Sequence, residues 1–286
     1  MADRPPRARQ AKPRTGKPGP AARPHTAAAG GKPPRAPDPF VYGWHPVQAA
    51  LLNPDRPVHA VFCTETAQPQ IAGAIVAAKA AGLPRPDPQI LPRQRLDRML
   101  PPGAVHQGVA VEVGPLPPTD LDDLGRAATV RPPPVIVIAL DHVTDPHNVG
   151  AVVRSAATFG AIGVVVTDRH APEVTGVLAR SASGGVERVP IVRVVNLAAA
   201  LETLRSWQFR IVGLDERAGS TLQHLPPGPR TVLVLGAEGD GLREKTQATC
   251  DVLVRLPTVG DFASLNVSNA AAIGLYELVR SSGGSE

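Results

Sequence analysis

Six consecutive apolar residues, Val135-Ile-Val-Ile-Ala-Leu140, leave no polar position on either alternating face. A strand that is apolar on both faces needs cover on both sides. That is the environment of a parallel sheet flanked by helices, not of an antiparallel sheet with one wetted face. Strand-like runs return at 163–167, 210–214, 231–235 and 252–256, while 148–159, 197–206 and 266–280 repeat apolar residues at helical spacing. Strands alternating with helices predict an α/β domain over 135–286 with a largely parallel sheet covered on both sides.

Upstream, residues 40–114 read as a smaller α/β unit. A helix over 47–52 is stopped by Asn53-Pro54, a strand covers 58–63, a helix over 71–81 ends at Gly82, and a second strand covers 108–113. Residues 115–134 carry prolines at both ends with polar residues between, which predicts an interdomain linker with a single helical turn near Leu121. Residues 1–39 are rich in Pro, Ala, Arg and Lys without periodicity and are expected to be disordered.

The formal charge of +5 is unevenly placed. Residues 1–39 hold nine Lys/Arg against Asp3 and Asp38, a local +7, so the remainder has 30 − 9 = 21 basic and 25 − 2 = 23 acidic residues, or −2. A basic arm of this kind is attracted to polyanions through counterion release. Cys63 and Cys250 form no Cys-x-x-Cys pair, which excludes a disulfide framework or a cysteine zinc site and suits a reducing compartment. No run approaches the ~18 apolar residues of a spanning helix, and the N-terminus lacks the apolar core of a signal peptide. A cytoplasmic protein without a membrane partner is expected.

Three segments carry the chemistry: Asp145-Pro-His-Asn-Val-Gly-Ala-Val-Val-Arg154, Gly236-Ala-Glu-Gly-Asp-Gly-Leu242 and Ser264-Leu-Asn-Val-Ser268. In the first, Pro146 and Asn148 are helix-start signals, and Asn148 reads equally well as an N-cap or as a site residue. Arg154 falls opposite the apolar face of that helix. An Arg there is usually only solvated, but after a strand-to-helix turn it can clamp a phosphate. In the second, glycines let the backbone approach a ligand closely. Their spacing fits neither the dinucleotide fingerprint nor the P-loop, which argues against a nicotinamide-dependent oxidoreductase. Glu238 lies inside this loop. The polar Ser264, Asn266 and Ser268 of the third precede a helix of small residues.

As an ordered set these segments resemble the three signature motifs of the SpoU/TrmH family of RNA ribose 2′-O-methyltransferases. Tyr42-Gly-Trp-His-Pro-Val-Gln-Ala-Ala-Leu51 and Ala104-Val-His-Gln-Gly-Val109 are further similar to the RlmB-type subgroup, whose small N-terminal domain resembles a ribosomal RNA-binding protein. Departures are Asp261-Phe-Ala263 in place of a more serine-rich stretch, and the long basic tail.

The resemblance implies a homodimer that uses S-adenosyl-L-methionine in a C-terminal domain with a deep trefoil knot, a topology general rules would disfavour. It implies a cofactor pocket lined by Leu235, Gly236, Leu256 and Leu265, and a catalytic group of Asn148, Arg154, Glu238 and Asn266 with Ser264 nearby. A guanidinium does not deprotonate, so Arg154 is expected to clamp phosphate and ribose rather than act as a base. The implied substrate is a guanosine of 23S rRNA. The alternatives are a tRNA guanosine, an rRNA adenosine, or an RNA-binding module without activity.

Overall fold

The apolar run at 135–140 forms an interior strand of a seven-stranded sheet, third from one edge. The computed structural model describes Met1 and residues 39–174, 176–259 and 265–282. Apart from Met1 and Pro39, the basic tail lies outside the described residues.

The small domain begins with β1 (Phe40–Tyr42), α1 (Trp44–Leu52), β2 (Val58–Cys63), α2 (Gln68–Ala80), β3 (Gln89–Ile90), α3 (Arg93–Met99) and β4 (Val109–Val113). Its sheet runs β1-β4-β2-β3, with β4 antiparallel to both its neighbours. Val47, Leu51, Ile71 and Ile75 pack from the two helices onto Val61, Val109 and Val111.

The stretch expected as a linker contains a full helix, α4 (Leu121–Val130), rather than a single turn. A reciprocal capping box explains the difference: Asp120 accepts from the Asp123 N–H at 2.7 Å, and Asp123 accepts from the Asp120 N–H at 2.9 Å. Leu124 and Ala128 then join the core of the larger domain.

That domain continues through β5 (Val135–Asp141), α5 (Pro146–Thr158), β6 (Gly163–Thr167), α6 (Gly176–Ser181), β7 (Ile191–Val194), α7 (Leu197–Ser206), β8 (Arg210–Leu214), β9 (Ser220–Thr221), β10 (Arg230–Gly236), α8 (Glu244–Thr249), β11 (Val252–Arg255) and α9 (Val267–Ser282). The order is β7-β6-β5-β10-β8-β11-β9, and every pairing is parallel. The late strand β10 therefore lies between β5 and β8.

Alternation along β5 builds two cores. Ile136, Ile138 and Leu140 face α5, α6 and α9, while Val135, Val137 and Ala139 face α4 and α7. Both layers close tightly. A Cβ at Gly150 on α5 would sit 2.7 Å from the Leu178 carbonyl oxygen of α6, so only glycine permits this approach.

The two sheets belong to one compact unit, Ala36–Glu286. A buried ion pair ties them: the Arg56 terminal nitrogen lies 2.8 Å from Glu187 Oε1, with both side chains almost wholly inaccessible. Asn53 Nδ2 donates to Glu187 Oε2 at 2.8 Å, and Arg56 also donates to the Gly114 carbonyl at 2.8 Å.

Candidate active site

Loops from the carboxyl ends of β5, β10 and β11 converge, where open parallel sheets hold their ligands. Asp145, not Asn148, caps α5: its carboxylate accepts from the His147 N–H at 2.9 Å. Pro146 suits the first helical position, so the acid just before it takes the cap. Asn148, inside the first turn, is released from capping.

Its amide is used elsewhere. Asn148 Nδ2 donates to Glu238 Oε1 at 3.1 Å, and its Oδ1 accepts from Asn266 Nδ2 at 3.0 Å. Asn266 also donates to the same Glu238 oxygen. The other end of Asn266 accepts from the Ser268 N–H at 2.9 Å, Ser268 Oγ at 2.5 Å and the Asn269 N–H at 3.4 Å, which caps α9. The cap fixes which end of Asn266 faces Glu238. One residue from each motif thus enters a closed network. Glu238 Oε1 is filled, while Oε2 has no hydrogen-bond partner among the described residues.

The Glu238 loop is anchored at both ends. At its start, a Cβ on Gly236 would fall 2.0 Å from the Gly241 carbonyl carbon, so the loop crosses directly over that glycine. The turn closes through the Gly241 N–H on the Ala237 carbonyl at 3.0 Å, and Gly239 and Gly241 have φ of 85° and 67°. At its end, Arg243 grips the fully buried Asp141: Nε donates at 2.8 Å, a terminal nitrogen at 2.6 Å, and the backbone N–H at 3.1 Å. Sequence reading missed Asp141. Its signal is an acid that closes an otherwise apolar strand.

Beside the network opens a cavity of about 260 Å³, between 214–217, 235–241, 255–258 and the start of α9. Leu235, Gly236, Leu256 and Leu265, the four expected cofactor contacts, all line it, as does Glu238. Asp215 and Arg217 line it too and were missed. Asp215 directly follows β8 and accepts from Arg217 through the guanidinium, twice at 3.1 Å, and the backbone N–H at 2.8 Å. The Arg217 guanidinium bonds hold the Asp215 carboxyl below the usual carboxylate range, against the opposing effect of burial.

Arg154 is not with the other three expected catalytic residues. Six positions separate it from Asn148, which turns it about 240° around the helix axis. It is exposed on α5, without a side-chain hydrogen bond or ion pair among the described residues, and lines a different cavity beside α1. Ser264 lies outside the described residues.

The two N-terminal motif pieces meet as structure. The Trp44 N–H donates to Gln107 Oε1 at 2.8 Å, and the Gly43 N–H to the Val109 carbonyl at 3.3 Å. Buried His106 accepts from the Gly108 N–H through Nδ1 at 3.0 Å, so the neutral ring carries its proton on Nε2, 2.9 Å from Asp97 Oδ1. These residues hold the small domain together.

Known proteins resemble this chain in sequence and fold. Residues 135–276 match the SpoU rRNA Methylase family, and residues 40–119 match a family described as RNA 2′-O ribose methyltransferase substrate binding. YacO of Bacillus subtilis, named for the TrmH family of tRNA/rRNA methyltransferases, is 34% identical over 80% of this chain and 90% of its own length. The chain belongs to the SpoU/TrmH family. A relative in Mycobacterium ulcerans, named an uncharacterized tRNA/rRNA methyltransferase, is 36% identical over 84% of this chain and 76% of its own. The crystal structure of the SpoU methyltransferase AviRb from Streptomyces viridochromogenes, in complex with the cofactor AdoMet, superposes with a TM-score of 0.69 at 26% identity over 86% of this chain and 91% of that one. An AdoMet-bound rRNA methyltransferase from Sinorhizobium meliloti shares the fold, with a TM-score of 0.66 at 22% identity over 84% of this chain and 86% of that one. Among the described residues no helix is long and apolar enough to cross a membrane.

Proposed function

We propose that this protein transfers a methyl group from S-adenosyl-L-methionine to the ribose 2′-hydroxyl of a guanosine in 23S rRNA. The observation that carries the reading is the Asn148–Glu238–Asn266 network at the mouth of a cavity lined by Leu235, Gly236, Leu256 and Leu265. The cavity suits the cofactor's two halves. Leucine side chains offer apolar walls for an adenine, while Asp215, Arg217 and the backbone of 236–241 offer partners for polar groups. When bound, S-adenosylmethionine supplies an electrophilic methyl group.

The chain's own residues do the aligning. Glu238 Oε1 is held by two amides, which leaves Oε2 as an oriented acceptor for a hydroxyl. Arg154 stays cationic and stabilises negative charge on ribose or phosphate. Within one chain it faces away from Glu238, which favours a site completed across a homodimer of methyltransferase domains. The strand order, with β10 between β5 and β8, is compatible with the knotted topology expected from the resemblance. The small domain, similar to a family that binds the RNA substrate, is consistent with an rRNA target.

The test incubates the protein with methyl-labelled S-adenosylmethionine and either 23S rRNA or a tRNA pool. Primer extension at limiting dNTP then maps the product. A ribose-methylated guanosine in 23S rRNA supports the reading, whereas label only in tRNA or on an adenosine overturns the substrate. No cofactor binding at millimolar concentration overturns the enzyme.

A further inference from the structure

A second cavity, of about 510 Å³, opens between α1 of the small domain and the α5–α6 face of the larger one. Its lining includes His45 and Gln48 from α1, Arg154 from α5, and Ser183 and Arg188 from the turn after α6. We propose that this interdomain groove is a ribose-phosphate subsite for the RNA strand beside the target nucleotide, with Arg188, His45 and Gln48 as positioning residues. This rests on the reading of the protein as an RNA methyltransferase.

The charge balance favours a polyanion. Arg154 and Arg188 are exposed, and neither makes a side-chain hydrogen bond or ion pair among the described residues. His45 is likewise exposed and without a side-chain partner among them. The acid in the lining, Glu187, is already neutralised: Arg56 Nε reaches its oxygens at 3.0 and 3.1 Å, and Asn53 adds 2.8 Å. What remains toward solvent is cationic, with donors suited to phosphate and ribose oxygens.

The groove is also preformed. Ser183 has φ 50° and Gly184 φ 87°, and a Cβ at Gly184 would meet the Ala49 Cβ at 2.7 Å. The turn is thus pressed against α1, with the buried Arg56–Glu187 pair beneath. A ligand meets two walls fixed before it arrives. Binding it costs little ordering of either domain.

The experiment measures affinity for a transcribed 23S rRNA domain and for poly(U) against salt, with methylation kinetics, in wild type, Arg188→Ala and His45→Ala/Gln48→Ala. Arg188→Ala is expected to lower the log–log salt slope by about 0.7–0.9, one phosphate contact. The α1 double variant is expected to raise KM for the rRNA about tenfold. Cofactor affinity and Tm should stay at wild-type values, since these side chains are outside both cores and the cofactor cavity. Wild-type slope and KM in both variants, with wild-type protein active on RNA, would overturn the groove alone. Wild-type protein that binds neither RNA nor cofactor would overturn the underlying reading instead. If a variant lowers Tm, Arg188→Lys decides: restored slope supports a phosphate contact, and an Ala-like slope overturns it.

Discussion

Asn148 and Glu238, ninety residues apart in sequence, meet at 3.1 Å with the asparagine amide donating to the carboxylate. The contact joins the helix after β5 to the loop after β10, adjacent strands in full parallel register from Arg230 on Val135 to Gly236 on Asp141. Register places the two loops side by side. Asn266 then closes the triangle from the third loop.

Glu238→Gln tests whether that carboxylate works or merely holds the loops. Substitution makes an amide face the amides of Asn148 and Asn266, which lose an ionised acceptor. Turnover in methyl-transfer assays should fall about a hundredfold to a thousandfold, the scale of one well-placed electrostatic group. The residue is exposed, so Tm by circular dichroism should move by no more than a few degrees.

How much of this was legible beforehand varies with range. The strands at 58–63, 163–167 and 210–214 and the helix at 197–206 have the extents their apolar patterns predict. The helix α4 was hidden because its capping box uses Asp123 at the third position instead of Glu or Gln. β7 was hidden because Ile191–Val194 is short and interrupted by Arg193. Asn148 was legible as a residue of interest but not in its role, since an Asn two residues after Pro146 reads equally well as a cap, the place that Asp145 takes. Nothing in local pattern places β10 beside β5, and that pairing is what creates the site. The separation of Arg154 from Asn148 follows from helical geometry alone, yet a shared motif invites grouping the two.

Arg154→Ala should reduce turnover by roughly a hundredfold or more while leaving cofactor affinity within about twofold. The arginine is exposed and lies away from the 260 Å³ cavity. Arg154→Lys should recover only part of the loss, because an ammonium cannot reproduce a bidentate fork. Calorimetry with S-adenosylmethionine beside single-turnover methylation separates the two effects. Lost cofactor binding with an altered circular dichroism spectrum would make Arg154 structural.

Gly236→Ala should act on the cavity. Its Cβ would sit 2.0 Å from the Gly241 carbonyl carbon and 2.4 Å from the Leu242 nitrogen, both backbone atoms that cannot rotate away. The loop must move, so cofactor affinity by calorimetry should weaken at least tenfold. Gly239→Ala is the control. Its Cβ meets open space, and only its φ of 85° is strained, at about 1 kcal/mol. Equal losses in both variants would show that loop strain, not collision, governs the cavity.

Both cysteines should be silent toward thiol reagents at pH 8 in the folded protein. Burial pushes the Cys63 thiol up and the Cys250 thiol up to about 12, and Cys250 Sγ also donates to the Thr246 carbonyl at 3.2 Å. A raised folded pKa favours the protonated native state, so this contribution is intact below the unfolded value near 9 and is lost as pH rises toward 12. Labelling with and without denaturant, with Tm followed from pH 8 to 11, checks both statements. Rapid native labelling of Cys250 would mean that α8 opens readily.

Removing residues 1–39 tests a division of labour between affinity and site choice. The segment carries +7 but no aromatic residue before Phe40, so it can meet phosphates and cannot stack bases. Its loss should weaken RNA binding evenly across sequences and lower the log–log salt slope by about 0.7–0.9 for each phosphate contact removed. The methylated nucleotide should not change, because the small domain and the loops after β5, β10 and β11 remain. Filter binding over a salt series on transcribed rRNA fragments, followed by primer-extension mapping, reads both quantities from one truncation. A shift to a different nucleotide, or an unchanged slope, would mean that the arm selects the site or never reaches the RNA.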